Sequence, residues 1–137
     1  MPGSVHPSDA PRPTDSLAEK TVWKALKARL PDGWTAWHSL KLRDDHGYLG
    51  EGDFVLAHPQ RGLLYLEVKG GQIKQEGGHW YSSGTRLERA PLSQALTYLG
   101  KLLNRLDAMG CQPPAFGAAV AFPETDFEVQ PDQDDLK

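Results

Sequence analysis

Gly50-Glu51-Gly52-Asp53-Phe54-Val55-Leu56-Ala57 and, after the five residues His58 to Gly62, Leu63-Leu64-Tyr65-Leu66-Glu67-Val68-Lys69 are the stretch that decides the fold. Both runs are apolar and partly branched, and the short polar link between them predicts a β-hairpin. The second run is apolar almost throughout, the pattern of a central strand covered on both faces. Charges at the end of such a strand are conspicuous, because a buried carboxylate is costly unless it is paired or meets a cation. Glu67 and Lys69 lie two apart and so face the same side. If Ala57 pairs with Leu63, Asp53 falls opposite Glu67 on that side. A slip of one residue would put the two acids on opposite faces.

Working outward, Ser16-Leu17-Ala18-Glu19 has the spacing of a capping box. Leu17, Ala18, Val22, Ala25, Leu26 and Leu30 then recur at helical spacing until Pro31-Asp32-Gly33. Trp34 to Leu42 reads as a strand and Arg43 to Gly50, with two Asp and two Gly, as a loop. Beyond Gly70-Gly71, Gln72 to Ser82 suggests an exposed hairpin turning at Glu76-Gly77-Gly78. Pro91 opens a second helix whose stripe runs from Leu92 through Leu106 to Met109 and stops at Gly110. Phe116 to Phe122 is a last small apolar strand. Helix, three or four strands, helix, strand is an α/β order with a central mixed sheet flanked by helices.

The 137 residues suffice for one domain with one core. Apolar residues make up 39%, charged residues 24%, and mean hydropathy is -0.53, the balance of an ordinary globular chain. No apolar run is long enough to span a bilayer. Residues 1–14, rich in Pro and Ser, lack the pattern of a secretory signal and read as a disordered lead-in. A lone Cys111 forms no intrachain disulfide, so a reducing cytoplasm is the expected compartment and a bland buried thiol its expected role.

The net charge of -3 at first argues against a nucleic-acid partner. Its distribution removes the objection. Residues 124–137, read as an acidic disordered tail, hold six acids and one base, and residues 15–123 hold 13 bases and 11 acids. Lys20, Lys24, Lys27, Arg86, Arg89, Lys101 and Arg105, on or beside the two helices, could meet phosphates.

Asp53 and Glu67, with the Val68 carbonyl as a third donor, form a hard oxygen set that suits Mg²⁺ or Mn²⁺. Lys69 beside them could steady an attacking hydroxide or a pentavalent phosphorus. The plain alternative is a strand-end ion pair between Glu67 and Lys69 with Asp53 as a turn residue, and chemistry alone leaves the two open. Glu19 is explained by the capping box, yet it also lies near the buried face of its helix, where it could approach a metal. Gln94 and Tyr98, four apart, can reach one place beside the second helix's apolar stripe or can be boundary residues. The five His stand singly, without zinc spacing, and the Gly pairs match no phosphate loop. Trp34, Trp37 and Trp80 are expected to pack rather than stack on bases. Leu102, Leu103 and Leu106 leave open a helix that dimerises.

In order, Glu19, Gly50-Glu51-Gly52-Asp53, Gly62 to Gly70 with its Glu-Val-Lys-Gly ending, Trp80-Tyr81 and Gln94-Ala95 resemble the nuclease-related domain, part of the PD-(D/E)XK nuclease superfamily, over residues 16–123. The resemblance implies a restriction-endonuclease-like αβββαβ core and Mg²⁺-dependent hydrolysis of DNA in processing or repair. It implies that Asp53, Glu67 and Lys69 are the core triad, that Glu19 is the acid of the first helix, and that Gln94 to Tyr98 is a Gln-x-x-x-Tyr element contacting DNA. No Walker motif accompanies them, so the domain is expected to act alone or with a helicase or other repair protein in trans. The non-enzymatic alternative is a silent module of this fold that binds nucleic acid or docks on such a partner.

Overall fold

A computed structural model of the chain describes residues 3–126. Its centre is the expected hairpin: β3 (Gly47–His58) and β4 (Gly62–Val68) pair antiparallel with Ala57 opposite Leu63 and Phe54 opposite Leu66. Gly62 must be glycine, since its φ is +113° and a Cβ there would lie 2.1 Å from the Ala115 carbonyl oxygen. β2 (Thr35–Asp44) pairs antiparallel with β3, and β1 (Ser4–His6) runs parallel to β2 at one edge. β8 (Phe116–Ala121) lies parallel to β4 at the other, giving a mixed five-stranded sheet in the order β1-β2-β3-β4-β8. β5 (Ile73–Glu76), β6 (His79–Ser82) and β7 (Thr85–Arg86) form a second, antiparallel sheet. The fold is α/β with a central mixed sheet, as the alternation of patterns implied.

α1 (Leu17–Arg29) begins where Ser16 accepts the Glu19 N–H at 3.1 Å. It buries Ala18, Val22 and Trp23 against Phe54, Leu56 and Val68 on one face of the sheet. α2 (Pro91–Ala108) buries Ala95, Tyr98, Leu99 and Leu102 against Val55 and Tyr65 on the other. Fully burying a Leu or Val side chain is worth about 1.5–3 kcal/mol, so these two stripes anchor both helices. Leu103 and Leu106 pack against the same cluster, so the leucines considered for a dimerising helix serve the domain's own core.

Several expectations need correction. The lead-in is ordered from residue 3: Ser4 N–H donates to the Trp34 carbonyl at 3.0 Å, and the Pro7 carbonyl accepts the buried Trp23 indole N–H at 3.1 Å. Long-range partners, rather than local propensity, hold this strap. The loop expected from Arg43 to Gly50 is a continuation of β2 and β3 around a tight turn at Asp45-His46. Cys111 is exposed just past the end of α2. Of the proposed tail, residues 127–137 lie outside the described residues, while Thr125 Oγ1 accepts the Ile73 N–H at 2.9 Å and donates to the Gly71 carbonyl at 3.0 Å.

Candidate functional site

The β3–β4 ladder ends at Phe54 and Leu66, and from there side chains take over from the backbone. Val68 N–H donates to Asp53 Oδ2 at 2.8 Å, and Asp53 N–H donates to the Tyr65 hydroxyl at 2.9 Å. That hydroxyl in turn donates to Glu67 Oε2 at 2.9 Å. Asp53 and Glu67 thus lie in the expected register, but the Asp53 carboxylate reaches across to the backbone of β4. Tyr65, one of the most deeply buried side chains, is the tie between the two acids, a role its reading as an apolar core residue concealed. Burial first, then the charges of Asp53 and Glu67, push its phenol well above the usual range, so it stays a donor.

Gly52 shapes the adjacent backbone. A Cβ there would stand 2.4 Å from the Tyr98 ring and 2.7 Å from the Tyr65 ring. These two rings pack with centroids 4.4 Å apart, and only a hydrogen at position 52 lets β3 pass over them.

Negative charge at the site is under-compensated. The Asp53 carboxyl is pushed up to about 7, first by burial and then by the charges of Glu67 and Glu19, against the pull of the Val68 N–H. Lys69 is the neighbouring cation, its Nζ 3.7 Å from Glu67 Oε1, with both side chains largely shielded. Carboxylate oxygens of this kind are ligands for hard divalent ions. Among the described residues, no three His, Cys, Asp or Glu side chains converge into a ready-made cage. Any ion here would therefore rest on the two carboxylates, a backbone carbonyl such as that of Val68, and water.

Glu19 completes only half of the capping box. Its N–H is capped, while its side chain turns to His38, with Oε1 2.9 Å from Nε2, and Oε2 accepts from the Thr14 hydroxyl at 3.3 Å. His38 is 1% exposed and stacks on Phe54 with ring centroids 4.7 Å apart. Arg12 N–H donates to its Nδ1 at 3.0 Å, which leaves the ring proton on Nε2, facing Glu19. Sequence reading set this His aside with the others; the one available signal was its place in a strand beside residues of inward-facing parity. Glu19 and His38 lie on the α1 side of the sheet, whereas Glu67 and Lys69 open toward α2.

On that second side, Glu67, Lys69, Arg89, Gln94, Tyr98 and Lys101 line one cavity of about 300 Å³ together with Gly50, Glu51 and Thr97. Six of the sequence-selected residues therefore meet here, in unequal states, while Asp53 and Val68 do not line the cavity and Glu19 faces the other side of the sheet. Tyr98 is 6% exposed and its hydroxyl donates to the Leu40 carbonyl at 2.9 Å, so it forms the floor. Burial first, then the charge of Glu51, pushes its phenol upward. Arg89 donates to the Thr97 hydroxyl at 2.6 Å, and Lys101 to the Leu49 carbonyl at 3.0 Å. Among the described residues, Gln94 Oε1 is buried with no hydrogen-bond partner, an acceptor without a donor.

A family model described as the nuclease-related domain matches residues 14–123, from the cap of α1 to the end of β8. The chain belongs to the nuclease-related domain family. Comparison with curated proteins and with solved structures returned no match. The nuclease-related domain here contains every residue of the site just described except Arg12, which lies two residues before the matched region. None of its described helices is long and apolar enough to cross a membrane.

Proposed function

We propose that the chain is a Mg²⁺- or Mn²⁺-dependent nuclease of the PD-(D/E)XK type that hydrolyses DNA phosphodiester bonds in DNA processing or repair. One observation carries the reading: the Asp53 backbone and the Glu67 carboxylate are joined through the Tyr65 hydroxyl, with the Asp53 carboxyl raised to about 7 by burial and by neighbouring acids, near a shielded lysine. A divalent ion bound there would relieve that charge. Asp53, Glu67 and the Val68 carbonyl would hold it, while Glu19, engaged by His38 on the α1 side, adds its negative charge to the surroundings of Asp53. The chemistry such an ion supplies when bound is polarisation of a phosphoryl oxygen and easier deprotonation of water.

The remaining work falls to the chain. Lys69 brings an ammonium to the attacking oxygen and to the charge that builds on phosphorus. The Gln94 Oε1 acceptor takes a hydrogen bond from water or from the substrate, in keeping with its having no partner among the described residues. Arg89 and Lys101 supply positive charge along the cavity wall to a phosphate backbone. A helicase or repair protein in trans would present the strand.

A second reading, a silent module that binds nucleic acid or docks on such a partner, draws on the lack, among the described residues, of three converging ligand side chains. Incubating labelled duplex and plasmid DNA with the full chain and Mg²⁺ or Mn²⁺ separates the two. The nuclease reading expects cleavage that Asp53→Ala and Lys69→Ala each abolish. Activity that survives both substitutions refutes it, and salt-sensitive binding without cleavage favours the silent module.

A further inference from the structure

A second cavity, of about 510 Å³, lies beside the first and is lined by Arg12, Pro13, Ser39, Leu40, Lys41 and Glu51. Glu51 lines both cavities, so the two adjoin along one surface. Neither Arg12 nor Lys41 figured among the bases that sequence reading assigned to nucleic acid, because Arg12 sits in the supposed lead-in.

The strap makes Arg12 a fixed group. Its backbone N–H is held by His38 Nδ1 at 3.0 Å and its side-chain Nε by the His38 carbonyl at 3.2 Å. His38 is itself buried and pinned by Glu19, so the guanidinium hangs from one of the most rigid points in the domain. Holding Nε leaves the fork of terminal N–H groups directed away from that anchor, and the residue is exposed. Lys41 is exposed on β2, and among the described residues neither base forms an ion pair with a carboxylate. Glu51, the acid nearest in the ladder, is engaged by the Ser39 hydroxyl. Ser39 adopts a left-handed backbone with φ of 57° opposite Asp53, where the regular β2–β3 pairing is interrupted. The same irregularity thus opens the cavity and turns Ser39 toward Glu51.

An immobilised guanidinium with free forked donors, beside an uncommitted ammonium, is the chemistry that recognises a phosphodiester oxygen pair. We propose that this cavity is a second phosphate subsite, in which Arg12 and Lys41 bind the backbone of the strand whose reacting phosphate lies at Glu67 and Lys69. The proposal rests on the nuclease reading for the identity of the ligand, and it makes the N-terminal strap part of the substrate-binding surface. It requires no metal and no chemistry, only a polyanionic strand running past Glu51 from one cavity to the other.

The test is fluorescence anisotropy of the full chain with a labelled DNA oligonucleotide in EDTA, repeated across a range of salt concentrations. Each lost phosphate contact reduces the slope of log affinity against log salt by roughly 0.7–0.9. Lys41→Gln should lower the slope by about one contact and Arg12→Gln with Lys41→Gln by about two. Arg61→Gln removes the same charge from the far end of the hairpin, about 23 Å along β3 from Glu51, and should leave the slope unchanged. Lys41 makes no structural contact of the kind Arg12 makes, so its substitution carries the test even if the strap loosens in the double variant. Slopes unchanged in Lys41→Gln and in the double variant overturn the proposal, as does an equal loss in Arg61→Gln. Absence of cleavage in Mg²⁺ would instead refute the nuclease reading and leave these slopes as they are.

Discussion

Replacing Asp53 by Asn should make the metal-free protein more stable at pH 8. The folded chain holds the Asp53 proton up to about pH 7, while an ordinary aspartate releases it at 3.8. Folding therefore takes up a proton between these values, and wild-type stability without metal falls as pH rises from about 4 to about 7. At about 1.4 kcal/mol per pH unit the ceiling of this cost is about 4 kcal/mol. Partial solvent access reduces it, and we expect about 2 kcal/mol. Asparagine has the same shape, carries no charge, and keeps an oxygen to accept the Val68 N–H. For a domain of this size, about 2 kcal/mol corresponds to roughly 5–10 °C in Tm. Thermal unfolding followed by circular dichroism in EDTA should show that gap at pH 8 and a much smaller one at pH 5. Saturating Mg²⁺ should raise the wild-type Tm and leave Asp53→Asn unmoved, since binding to the folded state alone is stabilising. Equal stability of the two proteins at pH 8, or a gap that does not change with pH, would refute the reasoning.

Other consequences follow from the same geometry. Tyr65→Phe removes the hydroxyl that joins Asp53 N–H to Glu67 and should cost about 1–3 kcal/mol in denaturant unfolding, with Mn²⁺ binding by calorimetry weakened about tenfold. Gly52→Ala forces a methyl against the Tyr98 and Tyr65 rings and should lower stability by about 1–3 kcal/mol, read as a drop in the urea midpoint. His38→Ala leaves the Arg12 N–H and Glu19 Oε1 without the imidazole and empties a stacked site on Phe54, so a loss of about 2–4 kcal/mol is expected from chemical denaturation.

How much of this was legible depended on whether the controlling interactions were local. The helices were readable because Ser16, Pro91 and the spacing of Val22, Leu99 and Leu102 act within a few residues. The pairing of Ala57 with Leu63 was one register that the five-residue loop allowed, not one that its length fixed, and the structure adopts it together with the alignment of Asp53 and Glu67. What escaped were features set by partners far along the chain. β1 is three residues held by Thr35 to Trp37, and its Pro- and Ser-rich surroundings carry no strand signal. The Arg43 to Gly50 segment has loop composition but sits at the exposed end of a ribbon, where alternation of apolar residues is not required. Glu19 satisfied the capping pattern, yet its side chain found a better partner in a buried imidazole 19 residues away. Tyr65 read as core because it is core, and its hydroxyl acquires meaning only when Asp53 and Glu67 are brought to it.

In the proposed function, Asp53, Glu67 and Lys69 work as one metal-dependent hydrolytic site. Single-turnover cleavage of end-labelled DNA across a Mn²⁺ titration, with wild type, Asp53→Asn and Lys69→Met side by side, tests it most directly. The account predicts no cleavage in EDTA, a saturable rise with Mn²⁺ for wild type, and loss of the rate by at least about 100-fold in both variants while DNA binding persists. Cleavage by wild type in EDTA, or by either variant at the wild-type rate, would contradict it.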